Sequence, residues 1–172
     1  LWSEDEANNW SGISNTTSTI PIIPIRSVTI TFGNSQAFGS VMMGSIAVGS
    51  TGTIVLNDGN LENTYVLRGS TQTAGTPWSI LASTPTGPNQ LVIFGVFDDD
   101  TAPAEGDFGP EDVIGPSSQS SSGTAYTVFG STTGTSVPAG ENRTLWIRMD
   151  MPATTTTVQS QSMKVEITAQ PP

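Results

Sequence analysis

The sequence predicts an all-β protein: an antiparallel two-sheet sandwich, Ig-like or jelly-roll, with about eight strands and an N-terminal extension. Two observations support this fold class. Short segments alternate apolar with hydroxylic side chains, whereas apolar residues at helical spacing are hard to find. Clusters of Gly, Pro, Ser, Asn and Asp separate these segments, and such residues form the turns between antiparallel strands.

The first predicted strands alternate clearly. Residues 28–32 (VTITF) and 53–57 (TIVLN) each place apolar residues on one face and hydroxyl or amide groups on the other. The stretch NDGN, residues 57–60, contains residues that tolerate positive φ angles, and it is followed by a strand at 65–68. We therefore expect residues 53–68 to form a β-hairpin.

Residues 91–97 (LVIFGVF) are apolar on both faces and predict a central strand covered on each side. Shorter strands are expected at 41–48, 78–81 and 126–129. Two alternating segments, 145–151 and 163–167, end the chain, and a proline and a threonine tract separate them. We expect the last of these strands to return into the sheet.

Composition limits the possible functions. The 172-residue chain is long enough for one domain with a hydrophobic core, and it contains no cysteine and no histidine. Disulfides and thiolate metal sites are therefore excluded, and the commonest general base is absent. The formal net charge of -10 favours neither nucleic acid nor an anionic membrane as a partner.

The neutral, hydroxylic surface is typical of secreted proteins, and a chain that begins at Leu1 fits removal of a signal peptide. We therefore expect an extracellular or cell-surface location. Residues 1–25 are predicted to be an N-terminal extension, with the sandwich at 26–172. The extension is polar and aperiodic up to residue 19, and then Pro21 and Pro24 favour an edge or crossing strand. Its large apolar residues are the candidates for contact with a second subunit: Leu1, Trp2, Trp10, Ile13, Ile20, Ile22, Ile23 and Ile25.

An acidic loop follows the central strand. Carboxylates on a loop bent by Gly and Pro are suitable ligands for calcium, although their spacing differs from that of an EF-hand. A solvated acidic loop is the simpler interpretation, and a glycosidase would need two carboxylates opposed across a cleft. The candidate calcium ligands are Asp98, Asp99, Asp100, Glu105 and Asp107.

Catalysis by a hydroxyl nucleophile would require Lys164, the only lysine, as its base, so we expect no enzyme activity. The sequons at Asn9, Asn15 and Asn142 are candidates for N-glycosylation. Among the tryptophans, Trp2, Trp10 and Trp146 could stack on sugars, although Trp146 is better explained by packing against another sheet, a loop or another subunit.

The NDGN stretch and the later segment VPAGENRTLWIRM, residues 137–149, resemble turn and strand patterns of extracellular Ig-like domains. They are also similar to secreted biofilm-fibre proteins of the TasA and camelysin class and to archaeal bundling pili. In those fibres an N-terminal segment of one subunit completes the sheet of the next. The resemblance implies that some part of residues 1–26 has this role here.

Two functions follow from the sequence. The first is a structural subunit that polymerises with itself into an extracellular filament or surface layer by N-terminal strand donation. The second is a monomeric Ig-like adhesion module that recognises glycan or a cell surface, with calcium bound at the acidic loop.

Overall fold

The computed structural model describes residues 3–4, 10–11, 23–84, 87–98, 101–128 and 132–172, with only the backbone described at 3–4 and 10–11. It is a β-sandwich, as predicted. Strands β1 and β2 form a two-stranded pair near the N-terminus, and the sandwich consists of nine further strands. In chain order the strands are Ser3–Glu4 (β1), Trp10–Ser11 (β2), Thr29–Phe32 (β3), Ile46–Val48 (β4), Thr53–Leu56 (β5), Thr64–Thr71 (β6), Ser79–Leu81 (β7), Gln90–Phe97 (β8), Gln119–Ser120 (β9), Asn142–Asp150 (β10) and Met163–Gln170 (β11).

The larger sheet has six strands and is centred on β10. Strand β8 pairs with one side of β10 along six residues, while β5 and β4 share the other side, one after the other. Strand β3 adds to β5 at one edge, and β7 adds to β8 in parallel at the other. The prediction of a central, doubly covered strand at residues 91–97 is confirmed, because β8 lies inside the sheet and is buried at most positions.

The smaller sheet has three strands in the order β11–β6–β9. Strand β11 pairs with β6 over its whole length, from Met163 opposite Thr71 to Gln170 opposite Thr64. Strand β9 covers only two residues of β6 on the opposite side. The two last strands of the chain, β10 and β11, therefore lie in different sheets.

The core lies between the inner faces of the two sheets. Phe97 and Leu145 come from the larger sheet, Tyr65 and Leu67 come from the smaller one, and all four are almost completely buried. Two short 3-10 helices, Glu105–Asp107 and Pro110–Asp112, lie in the connection between β8 and β9. In the part of the chain that the structure describes, no helix is long and apolar enough to cross a membrane.

Some boundaries and connections differ from the sequence predictions. Residues 53–68 do not form a hairpin: β5 belongs to the larger sheet and β6 to the smaller one, so loop 57–63 crosses between the sheets. The turn residues are present, but burial of both strands in facing sheets decides the pairing. Of the strand expected at 126–129, residues 126–128 are described, and they form a single bridge, between Thr127 and Phe97.

Candidate assembly site

Strand β11 is an open edge of the smaller sheet. Opposite Val165 and Ala169, residues Gly69 and Tyr65 direct their N–H groups away from β11, to the carbonyls of Gly115 (2.8 Å) and Gly134 (2.7 Å). In an antiparallel pair, directly opposite residues share this property, and it alternates along the strand. The odd-numbered residues of β11, from 163 to 169, therefore direct their backbone N–H and C=O groups outward, where the described chain supplies no neighbouring strand.

The same odd-numbered residues direct their side chains toward the larger sheet. Met163, Val165 and Ile167 pack against the core but are only partly buried, whereas Lys164 and Glu166 lie on the exposed face. Side chain and backbone direction are linked by the strand geometry. One set of residues therefore offers both unpaired backbone groups and apolar side chains.

A cleft of about 760 Å³ lies between β11 and the larger sheet. Its floor is formed by side chains of β8 and β10, and one wall by β11. The other wall is Ile30 of β3 together with loop 33–45, which includes Phe38. Residues 155 and 157–162, in the connection between β10 and β11, also line the cleft. Apolar lining residues from the two sheets are Ile30, Leu91, Ile93, Leu145, Ile147, Met149, Met163, Val165 and Ile167.

The lining has a distinct chemical character. Although the net charge of the chain is -10, the cleft is lined by no Asp, Glu, Lys or Arg within the described residues. Four of the five methionines line it, at positions 43, 149, 151 and 163. Because methionine is unbranched and polarisable, such a surface adapts to differently shaped apolar groups. Neutral polar residues, among them 34–36 and 159–162, also line the cleft, so it is suited to an uncharged occupant with both apolar and hydrogen-bonding groups.

Strand β3 is exposed along its length. Ile30 faces the cleft with 38% of its surface exposed, and Phe32 on the opposite face is 57% exposed. The chain turns after β3 at Gly33, which has a φ of +71°. A Cβ atom added at this position would lie 2.7 Å from the Gly52 carbonyl oxygen, so a residue with a side chain would be strained here. Thr53 Oγ1 holds this turn, since it donates to the Gly33 carbonyl (2.9 Å) and accepts from Gln36 Nε2 (2.8 Å).

The N-terminal segment joins the sandwich at residues 23–26. Asn60 donates from Nδ2 to the Ile23 carbonyl (2.8 Å), accepts at Oδ1 from the Ile25 N–H (2.8 Å), and its own N–H donates to the Ile25 carbonyl (3.0 Å). Arg26 donates to the Glu62 carbonyl and to Asn63 Oδ1. The side chains of Ile23 and Ile25 remain 73% and 52% exposed.

Of the other predicted subunit-contact residues, Leu1, Trp2, Ile13, Ile20 and Ile22 lie outside the described residues. Trp10 is in β2, whose backbone alone is described. Their role as subunit contacts therefore stays a prediction. The structure does show that residues 23–26, at the described end of this segment, are bound at loop 57–63.

Two buried asparagines fix this loop. Asn57 Nδ2 donates to the carbonyls of Leu61 (2.8 Å) and Val137 (2.9 Å), and its Oδ1 accepts from Asn63 Nδ2 (2.7 Å). Asn63 Nδ2 also reaches the Ser27 carbonyl (3.2 Å). Both side chains are fully buried, so their hydrogen bonds are needed to offset desolvation. The NDGN stretch thus fixes the conformation of loop 57–63, where residues 23–26 are bound.

The acidic loop packs against the outer face of β10. Arg148 pairs with both carboxylate oxygens of Asp150 (2.8 and 2.9 Å), donates to the carbonyls of Glu105 and Phe108, and stacks over the Phe94 ring at 4.6 Å. Trp146 is partly buried and its Nε1 donates to the Asp98 carbonyl (2.9 Å). Trp146 therefore contributes to packing within the domain, as its simpler interpretation predicted.

The predicted calcium ligands do not converge in the part that is described. Asp98 is buried beneath Trp146, Glu105 is exposed, and Asp107 Oδ2 accepts the Ala104 N–H (2.7 Å) at the first 3-10 helix. No group of three or more acidic side chains suited to a metal occurs among the described residues, and Asp99 and Asp100 lie outside them. Calcium binding stays a prediction.

Among the described residues, the carboxyl group whose pKa is raised most was not singled out from the sequence. Asp112 is 1% exposed, and its carboxylate accepts the N–H groups of Gly109 (2.8 Å) and Tyr126 (2.6 Å). Burial raises the pKa of Asp112 to about 6, although these N–H groups act in the opposite direction. Tyr126 is buried beside it, has a φ of +60° and donates its hydroxyl to the Val113 carbonyl (3.1 Å). Nothing in the local sequence distinguishes Asp112 from its exposed neighbours.

The remaining predicted sites are solvent-facing or outside the described residues. Asn142 is exposed at the start of β10, while Asn9 and Asn15 lie outside the described chain, so glycosylation stays a prediction. Lys164 pairs with Glu166 at 3.3 Å, and both side chains are about half exposed. This geometry agrees with an exposed pair on the outward face of β11.

Comparisons of this chain with protein-family models, with curated proteins and with solved structures find no significant match. The resemblance to biofilm-fibre proteins stays a prediction from turn and strand patterns.

Proposed function

We propose that this protein is a structural subunit of an extracellular filament or surface layer that assembles head-to-tail. The N-terminal segment of one copy adds a strand to the sandwich of the next copy. The partner is thus a second copy of the same chain, and no cofactor or catalytic group takes part.

The observation that carries this proposal is the open edge of β11, in the described chain, beside a cleft whose described lining is uncharged. Unpaired backbone groups at a sheet edge form a template for an added strand, and proteins usually block such edges. Here Lys164 and Glu166 point to the outer face, and the cleft side of the edge carries Val165 and Ile167 without charge. Strand addition would supply backbone hydrogen bonds along β11 and would bury the exposed apolar lining.

Contact between different surfaces of successive copies does not close into a symmetric dimer. Unless rotation closes a ring, such heterologous contacts generate a filament. Here residues 23–26, which follow the proposed donor residues, are bound at loop 57–63, whereas the acceptor is the β11 edge. The two surfaces are therefore different, as a head-to-tail assembly requires.

The direct test is negative-stain electron microscopy of the full-length protein and two variants. Val165→Arg places a charge in the cleft, and we expect it to abolish filaments. Thr168→Arg places the same charge on the exposed face of β11, and we expect filaments to remain. Circular dichroism establishes that both variants fold. Filaments in both variants would contradict strand addition at β11.

Discrete monomers of the wild-type protein would instead support the adhesion module. That function would then have to use groups other than the Trp146 indole N–H, which already binds the Asp98 carbonyl. Glycan-array binding would be the next measurement.

A further inference from the structure

We infer that residues 20–22 of one copy pair antiparallel with β11 of the next copy. In this arrangement the side chains of Ile20 and Ile22 enter the cleft, and Pro21 faces outward. The inference rests on the proposed function, because it specifies the donor residues, the strand polarity and the partner. Three features of the described chain support it: the direction of the β11 backbone groups, the pole at which residues 23–25 are bound, and the chemistry of the cleft.

The β11 backbone decides which donor residues must have an N–H group. Val165 and Ile167 direct both side chain to the cleft and backbone groups to the open edge. In antiparallel pairing, the donor residues opposite them also direct N–H and C=O groups toward β11. The donor residues whose side chains enter the cleft must therefore not be proline.

The proline positions satisfy this condition in one polarity. With Ile20 and Ile22 in the cleft, Pro21 lies between them and directs its backbone away from β11. Because proline has no N–H group, no hydrogen bond to β11 is lost at this position. In parallel pairing the reverse holds: donor residues that face away from the cleft supply the bonds to β11. Pro21 would then remove one of those bonds, so its position favours antiparallel pairing.

The poles of the sandwich favour the same polarity. Gln170 lies opposite Thr64, next to loop 57–63 where Ile25 is bound, and Met163 lies at the other end of β11. Antiparallel pairing places the donor's Ile22, and so the sandwich that follows it, at the Met163 end of the acceptor. The acceptor's own Ile23 and Ile25 are bound at the opposite pole. The donor's sandwich therefore follows at the pole away from the acceptor's residues 23–25.

Occupation of the cleft by the same chain would require the other polarity. Ile23 is fixed at Asn60, at the Gln170 end of the chain's own β11. The chain direction from residue 20 to residue 22 would then run from the Met163 end to the Gln170 end. Strand β11 runs in the same direction, so the pairing would be parallel. Because Pro21 disfavours that pairing, the occupant is a second copy.

The chemistry of the segment suits the cleft. Residues 7–25 contain no charged side chain, lying between Glu6 and Arg26, and the described cleft lining is also uncharged. Neither partner would bury an unpaired charge when they associate. The adaptable methionine side chains around the cleft can close on two isoleucines without a preformed pocket for each.

Disulfide trapping tests the polarity, and the chain has no native cysteine to interfere. Full-length chains carrying Ile20→Cys or Ile22→Cys are mixed separately with chains carrying Met163→Cys, Val165→Cys or Ile167→Cys, one set bearing a size tag. Thr168→Cys, on the outer face, is the control. Because disulfides form only at Cα separations of about 4.4–6.8 Å, each donor position should favour one acceptor. Moving the donor cysteine from 20 to 22 should shift the best acceptor to a lower number.

The outcomes separate this inference from the proposed function. A shift to a higher number, or an intramolecular disulfide in a diluted chain carrying both cysteines, would overturn the inference. Filaments of the wild-type chain without crosslinks above the Thr168→Cys control would overturn it while leaving the filament function intact. Crosslinks of the expected polarity without filaments would support the pairing and contradict the filament.

Proline substitution gives a second test in the full chain. Ile20→Pro removes an N–H that faces β11 and should raise the concentration needed for assembly about tenfold or more. Thr19→Pro removes an N–H that faces away and should have a much smaller effect. Equal effects would overturn the assigned faces.

Discussion

The two halves of the sandwich differ in how completely they are closed. Around Tyr65 and Phe97, whose rings lie 5.6 Å apart, side chains from both sheets are fully buried. Around β11 and β3, apolar side chains of the same kinds are only partly buried and line a cleft. We call these regions the closed half and the open half.

The two halves differ in whether the described chain covers the edge of the smaller sheet. In the closed half the edge of β6 is covered by residues near Gly115 and Gly134, although β9 is only two residues long. In the open half no described residue has that role for β11. The open half is therefore the surface at which we propose that a second copy binds.

Truncation of a core residue should have the largest effect on stability. Phe97→Ala in the closed half should lower the free energy of unfolding by about 3–5 kcal/mol, because it leaves a cavity against Tyr65. Ile30→Ala in the open half should cost less than about 1 kcal/mol, since that side chain is 38% exposed. Urea unfolding measures both. Equal losses would contradict the distinction between the halves.

A pH-dependent effect should follow from Asp112. Because burial raises the folded-state pKa to about 6, above the unfolded value of 3.8, the contribution of this group to stability is present below pH 4. It is lost as the pH rises through 6, by up to about 3 kcal/mol. Urea unfolding at pH 4.5 and 7.5 should therefore show a larger loss for the wild type than for Asp112→Asn. Parallel changes would contradict the assignment.

Arg148→Lys should have a moderate effect. Lysine keeps the charge but cannot pair with both Asp150 oxygens and reach the Glu105 and Phe108 carbonyls together. We expect a loss of about 1–2 kcal/mol and faster proteolysis between residues 102 and 112. Proteolysis at an unchanged rate would show that other contacts hold this loop.

Lys164→Ala should have the smallest effect on stability. Its pair with Glu166 is about half exposed, and such pairs contribute less than about 0.5 kcal/mol. Since Lys164 faces away from the cleft, assembly should also be unaffected. A marked change in filament formation would mean that the outer face of β11 is part of the interface.

The sequence predicted most of the fold because the pattern of apolar and polar residues along each strand indicates which faces are buried. The doubly apolar segment at 91–97 could only be covered on both sides, and β8 is. The prediction of a hairpin at residues 53–68 was wrong. Turn residues such as those at 57–60 specify a local change of direction, but they do not determine which sheet the next strand joins.

The candidate site was less predictable. Alternation in residues 163–167 identified the inner face of β11, but it could not show that β11 is an edge, because that depends on pairing with distant residues. Asp112 was part of an acidic stretch, and its burial depends on Tyr126, fourteen residues later. Both properties arise from long-range packing.

The most direct measurement of strand addition is amide hydrogen exchange along β11, before and after assembly of the full-length protein. In the unassembled state, amides of the odd-numbered residues 163 to 169 should exchange quickly, while the even-numbered amides that face β6 should be protected. Assembly should protect the odd-numbered set. Filaments in which Val165 and Ile167 amides exchange as quickly as in the unassembled protein would contradict strand addition at β11.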